Sequence, residues 1–252
     1  MRRRRHFGIV VWVAAVLLPP PALAGQVTVA VASNFMLPMQ EVVAAFERDT
    51  GHEVTLVSGS TGALYAQIRN GAPFDVLLAA DAARPQALVD AGLVAASDRK
   101  TYAIGKLAFW TRDAGLSLTD ASIIDLQGQS QRLAIANPKL APYGHAAVEV
   151  LERLGVYDTL RRQLVMGQNV NQSYQFVRTG NARFGFVAAS LVYRDGALER
   201  GSAWLVPDTW HTPVRQDAVL LRGANGAPRA MFEYLGAAST AAVLQRFGYG
   251  VP

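Results

Sequence analysis

Three times between residues 27 and 92 a short β-rich or apolar run gives way to a polar turn and then to an apolar series with helical spacing. Val27–Ala32 is followed by Ser33 and Asn34, then by Met39, Val42, Val43 and Phe46 at intervals that put them on one helix face. Residues 52–58 alternate through Val54 and Leu56 and pass through Gly59-Ser60-Thr61-Gly62 into a helical stretch at 63–70. Phe74–Ala80 is a continuous apolar run, and Asp81 with Pro85 introduces a helix closing at Gly92; such a run suits a strand buried on both faces. Adjacent parallel strands need crossover connections, usually helical, so this repetition predicts a parallel sheet flanked by helices. The punctuation agrees. Pro38 fits a first helical turn, where its missing N–H costs nothing, and Gly51 fits the position just past a helix end.

Leu107–Trp110 begins a second series of units, which continues at 133–136, 145–154, 170–179 and 184–189. Residues 216–221 read as a late strand, and 230–247 as a terminal helical region returning to the first lobe. No Pro-, Gly- or Ser-rich linker separates the two series, so two α/β lobes joined by strands are expected rather than independent beads. With 51% hydrophobic and 17% charged residues in 252, the chain has the balance of a globular protein. It contains no cysteine, which excludes disulfides, thiolate metal sites, Cys nucleophiles and a lipidated N-terminal Cys.

The first 24 residues read as a secretory signal peptide. Arg2–Arg5 form a cationic start, Phe7–Leu18 an apolar run of 12 residues, and Ala22-Leu23-Ala24 a small-residue cleavage site before Gly25. As a membrane anchor the run is too short, since 12 helical residues rise ~18 Å against a hydrocarbon core of ~30 Å. Cleavage after Ala24 removes four arginines and turns a formal charge of +5 into +1. That leaves no electrostatic footprint for nucleic acid or an anionic membrane surface. With no later long apolar run, the mature chain is expected free in an extracytoplasmic space, a periplasm.

The chemistry-bearing positions are small and polar. Ser33-Asn34 and Gly59-Ser60-Thr61-Gly62 place hydroxyls and amides beside helix N-termini, whose unpaired N–H groups and dipole favour anions. Simple N-capping is the alternative for each motif alone. Both fall at the carboxyl ends of strands of one sheet, where open α/β folds bind ligands. Tyr143, in Asn137-Pro-Lys-Leu-Ala-Pro-Tyr-Gly144, sits at a third helix start and offers a phenol donor, or else packs on Pro142 as a surface loop residue. Gln168-Asn169-Val170-Asn171 opens a fourth, where a backbone N–H is the useful group. His52, His145 and His211 lack metal-ligand spacing, and Asp75 and Asp81 are expected as caps and ion-pair partners. Trp110, Trp204 and Trp210 are expected to pack in cores.

The segments Ala-Ser-Asn-Phe (32–35), Gly-Ser-Thr-Gly-Ala-Leu-Tyr-Ala-Gln-Ile (59–68), Gly-Ala-Pro-Phe-Asp-Val-Leu-Leu-Ala-Ala-Asp (71–81) and Ala-Pro-Tyr-Gly (141–144) resemble those of the periplasmic molybdate-binding proteins of ABC transporters. The resemblance covers essentially the whole mature length. It implies an α/β, two-lobed type II periplasmic binding protein fold with its ligand cleft between lobes: lobe I from 25–104 and 216–252, lobe II from 105–215. It further implies a non-enzymatic protein without cofactor, whose ligand is molybdate or tungstate. Partners would be an ABC permease and its ATPase, and a monomer is expected. Carried over residue by residue, the oxyanion donors are Ser33 and Asn34, Ser60 and Thr61 in lobe I, and Tyr143 and the N–H of Val170 in lobe II. Many members carry a small residue in place of Tyr143 and a Tyr in the strand that here reads Gly185-Phe-Val-Ala-Ala189, so Ala188 takes no ligand role. Thr61 stands where Ser is common, keeping the hydroxyl and adding a methyl.

A donor-only site favours a fully ionised anion, because hydrogenphosphate keeps a proton that wants an acceptor; sulfate must then be separated by size. Another tetrahedral oxyanion, sulfate or phosphate, is the alternative within the class. Outside it stand a sensor or adhesion module without transport and an extracytoplasmic serine hydrolase. The hydrolase needs Ser33 or Ser60 as nucleophile with a base in reach, for which His52 is the candidate.

Overall fold

A computed structural model of the chain describes residues 24–223 and 225–250. The expected signal peptide, apart from Ala24, lies outside the described residues. Along the chain, strand β1 (Gln26–Ala32) runs into a 3-10 turn (Ser33–Phe35) and helix α1 (Met36–Thr50). Met39, Val42, Val43 and Phe46 are the buried face of α1, and Gly51 ends it at φ 72°, a left-handed conformation that glycine adopts without a Cβ penalty. Two more units follow: β2 (Glu53–Gly59) with α2 (Thr61–Arg69), and β3 (Val76–Leu78) with α3 (Ala83–Asp90). Then β4 (Arg99–Gly105) leads directly to β5 (Leu107–Thr111).

The second series comprises α4 (Asp120–Ile124), β6 (Leu133–Ala136), α5 (Pro142–Arg153), α6 (Tyr157–Leu160), β7 (Leu164–Gly167), α7 (Val170–Arg178) and β8 (Phe184–Ala188). A short hairpin of β9 (Tyr193–Arg194) and β10 (Ala197–Leu198) precedes β11 (Ser202–Leu205). The chain returns through β12 (Val214–Leu220) and ends on α8 (Ala227–Tyr234) and α9 (Ala238–Arg246).

Two five-stranded sheets result, in the orders β2-β1-β3-β12-β4 and β11-β5-β8-β6-β7. They share one plan. Three parallel strands, β2-β1-β3 in one and β7-β6-β8 in the other, are followed by an antiparallel fourth strand and an antiparallel edge. In the first sheet that fourth strand is β12, contributed after the second sheet is complete. Only Lys106 separates β4 of one sheet from β5 of the other, and residues 206–213 make the return crossing. The two lobes are thus joined by strands, as expected.

Strands β4, β7 and β11 are absent from the sequence reading, and all three are sheet edges. An edge strand needs no long apolar run: β4 starts on Arg99-Lys-Thr, and β7 and β11 are only four residues each. α5 starts at Pro142 rather than near His145, so Tyr143 is helical. Trp110 is fully buried in the second lobe, while Trp204 and Trp210 pack edge-on at 5.5 Å. The terminal helices cover the first sheet through Met231, Phe232, Val243 and Leu244, which join Val29, Val31 and Phe46 in one core. Among the described residues no helix is long and apolar enough to cross a membrane.

Candidate functional site

The carboxyl ends of β1, β2 and β6 all reach the seam between the sheets, and β7 delivers α7 to the same place. There they form a small cavity of about 10 Å³, lined by Ser33, Asn34, Ser60, Thr61, Tyr143 and Val170 together with Ala80 and Asn169. All six residues expected from the sequence are therefore brought together, and each is at most 5% exposed. No Asp, Glu, Lys, Arg or His is among the lining residues.

Each position has a local cause. Ser33 and Asn34 do not cap α1: they form the 3-10 turn, with no side-chain capping bond, and α1 begins at Met36. Capping therefore does not account for them. Phe35 anchors the turn, packing edge-on against Tyr102 at 4.9 Å and Tyr249 at 5.4 Å. Ser60 does cap α2, its Oγ accepting from Ala63 N at 3.4 Å. Thr61 Oγ1 accepts from Ala80 N at 2.9 Å, which leaves the hydroxyl proton for another acceptor. At α7 the Asn169 side chain accepts from Gln172 N at 3.0 Å, while Val170 is the first helical residue. Its N–H, like that of Thr61 in α2, has no intrahelical acceptor.

Tyr143 is 2% exposed, so it is not a surface loop residue resting on Pro142. Its Oη is buried without a hydrogen-bond partner among the described residues. An orphaned buried donor costs ~1–3 kcal/mol, a cost that a bound acceptor removes. Burial first, and then the neighbouring Tyr249 and Tyr102 phenols, push its pKa well above the tyrosine range, so it remains a donor across all physiological pH. Two glycines seat this side chain. A Cβ at Gly144 would lie 2.2 Å from Ala136 O, and one at Gly105 would lie 2.1 Å from Tyr143 Oη.

Asn34 plays a different part from a side-chain ligand donor. Its Nδ2 donates to Gln216 Oε1 and to Tyr249 Oη, both at 2.9 Å, which uses both amide protons. What Asn34 retains for a ligand is its backbone N–H. Gly105, Ser190, Gln216 and Tyr249, which surround these groups, were not legible from the sequence. Each is distant along the chain from the turn it supports, and none carries a local pattern.

Bonds across the seam hold the lobes together. Gly62 N donates to Leu140 O at 2.9 Å, Arg84 Nη2 to Lys139 O at 3.0 Å, and Ser190 Oγ to Asn34 O at 3.1 Å. Gly62 permits this approach, since a Cβ there would lie 2.9 Å from Leu140 O. Asp81 accepts from Arg84 N at 2.8 Å at the start of α3 and pairs with the Arg84 guanidinium at 2.5 Å, the role expected of it, whereas Asp75 accepts from the strand residue Thr28 N at 2.7 Å and is, among the described residues, neither a cap nor an ion-pair partner.

His52 cannot serve Ser33 or Ser60 as a base. Its Nδ1 accepts from Gly25 N at 3.1 Å at the start of β1 and β2, whereas both serines follow the ends of those strands. Seven residues of strand place them roughly 20 Å apart. His145 lies 3.6 Å from Glu149, and His211 Nδ1 is 2.8 Å from Thr212 O. No cluster of three or more His, Asp or Glu suited to a metal ion occurs among the described residues.

Residues 27–250 match the family described as bacterial extracellular solute-binding protein. The chain is 46% identical over 245 residues to the molybdate-binding protein ModA of Azotobacter vinelandii, covering 96% of this chain and 97% of that one. It is 44% identical over 231 residues to the molybdate-binding protein ModA of Rhodobacter capsulatus, covering 91% and 90% of the two chains. Among solved structures, the periplasmic molybdate-binding protein of Azotobacter vinelandii superposes with a TM-score of 0.84 over 90% of this chain and 99% of that one, at 34% identity. The neutral, donor-lined cavity between two like-built lobes and these similarities lead to one assignment: the chain belongs to the bacterial extracellular solute-binding proteins.

Proposed function

We propose that this protein is the periplasmic solute-binding component of an ABC transporter and captures molybdate, with tungstate accepted alongside it, for delivery to a membrane permease and its ATPase. The observation that carries the reading is the Tyr143 hydroxyl, buried without a partner beside the helix starts of α2 and α7 in a cavity whose lining has no charged residue. The oxyanion takes hydrogen bonds from Ser33 Oγ, the Asn34 N–H, Thr61 with Ser60 beside it, Tyr143 Oη and the Val170 N–H. Hydrogen bonds to a charged group contribute ~1.5–3 kcal/mol each, and the two helix ends add their dipoles. A set made of donors suits an anion with no proton of its own, which favours molybdate, tungstate and sulfate over hydrogenphosphate. The size of the closed cavity then separates the first two from sulfate.

Donors come from both lobes, so full affinity exists only in the closed form, and binding and closure are linked. The lobe boundaries at 25–104, 105–215 and 216–252 belong to this proposal, supported by the sheet membership of the strands. Export with cleavage after Ala24 and action as a monomer without cofactor complete it. The test is calorimetric titration of residues 25–252 with molybdate, with and without excess sulfate. Tight one-to-one binding that sulfate leaves unchanged is expected. Heat with sulfate or phosphate but not with molybdate overturns the ligand, and silence with all three overturns the binding role.

A further inference from the structure

Behind the cavity, and reaching it through Asn34, lies a ring of buried polar groups. Asn34 Nδ2 donates to Tyr249 Oη at 2.9 Å, Tyr249 Oη and Ser190 Oγ are 3.0 Å apart, and Ser190 Oγ donates to the Asn34 carbonyl at 3.1 Å. Each hydroxyl has one proton: Ser190 Oγ gives its own to the Asn34 carbonyl, and Tyr249 Oη, 3.0 Å from both Ser190 Oγ and Asn34 O, gives its own to one of these two acceptors. Such chains strengthen one another and are costly to leave half-made in a buried setting. The second amide proton goes to Gln216 Oε1, and Gln216 Nε2 donates to Val214 O at 3.1 Å. Asn34, Ser190 and Gln216 are each at most 3% exposed and Tyr249 is 6% exposed.

The members come from three parts of the chain. Asn34 belongs to the turn after β1, Ser190 follows β8 in the second lobe, and Tyr249 lies beyond α9. Residue 250 pairs with Ile104 through bonds of 2.8 and 2.9 Å, fixing the segment beside the β4–β5 crossing. The same segment meets the second lobe again: Asp195 N donates to Arg246 O at 2.7 Å, and the Arg194 guanidinium stands 3.3 Å from the Phe247 ring centre.

We propose that Tyr249 and Ser190 are positioning residues that lock the Ser33–Asn34 turn to the second lobe and so govern how long the oxyanion is held, without touching it. The lock occupies the Asn34 amide and carbonyl, so the Ser33 hydroxyl and the turn's backbone N–H groups are the donors left to the ligand. Its one member from the second lobe makes it a bond of the closed form. This inference rests on the oxyanion reading above.

Tyr249→Phe removes the phenol oxygen while keeping the ring against Phe35. Measured by stopped flow and calorimetry with molybdate, Tyr249→Phe and Ser190→Ala should each weaken binding about 5- to 30-fold, chiefly through faster release. The double variant should lose little more than the worse single one, as expected for members of one ring. Thr240→Val is the control. It deletes another buried hydroxyl of the first lobe, bonded to Tyr234 O at 2.8 Å, and should lower the melting temperature with molybdate affinity unchanged. Unaltered release from Tyr249→Phe, or an equal loss in Thr240→Val, overturns the proposal. If the unaltered protein takes up no oxyanion, the function reading has failed. The lock is then judged by amide hydrogen exchange at residues 33–35, which must accelerate in Tyr249→Phe for it to stand.

Discussion

The Tyr143 hydroxyl oxygen, buried without a hydrogen-bond partner among the described residues, is the most informative atom of the site. Replacing Tyr143 by Phe should weaken molybdate binding about 10- to 100-fold by calorimetry, the worth of a hydrogen bond to a charged group. The ligand-free melting temperature should hold or rise slightly, because the variant removes an unsatisfied buried oxygen. Gly105→Ala should be more severe for binding, since its methyl would take the place of Tyr143 Oη and the phenol would have to leave its seat. Loss of molybdate binding with the fold retained by circular dichroism is the expected result. Tyr143 was legible as a candidate donor because a Pro-Tyr-Gly segment at a helix start can be read locally. Gly105 was not, because only the folded chain brings residue 105 against residue 143.

At the scale of elements, the site is a meeting of helix starts, and Gly62 shows how closely they meet. Gly62→Ala should help α2 itself, by up to ~1 kcal/mol of helix propensity, while its methyl would press on Leu140 O across the seam at 2.9 Å. The expected outcome is an unchanged or higher melting temperature without ligand and a smaller rise on adding molybdate, both read in one thermal-shift series. The βα units at 26–90 were readable because β1 and β3 are central and largely apolar, edge strand β2 alternates, and their helices carry glycine stops. Edge strands β4, β7 and β11 were not, because β7 and β11 span only four residues each and β4 opens on Arg99-Lys-Thr, too little pattern to mark a strand. Ser33 and Asn34 stood out in the sequence beside a helix start, but they form a 3-10 turn rather than a helix cap, a distinction that depends on what Phe35 packs against.

For the molecule as a whole, three buried tyrosines make stability sensitive to alkali. Burial raises the pKa of Tyr102 and Tyr143 well above the usual range and that of Tyr249 to about 12. In the unfolded chain they ionise near pH ~10, so above that pH the unfolded state binds fewer protons than the folded one. Their contribution is therefore complete below pH ~10 and is lost on the way up through the folded values. Denaturant melts should show stability level through neutrality and falling between pH 10 and 12 by up to ~1.4 kcal/mol per pH unit for each tyrosine. The shared plan of the two sheets has a further outcome for how the polypeptide acquires its shape. Every strand of the second sheet lies between residues 107 and 205, whereas β12, at 214–220, completes the first. A chain synthesised amino end first can finish its later half before its earlier one. The leading half must wait, its sheet open at β3, until the tail emerges to fill the gap.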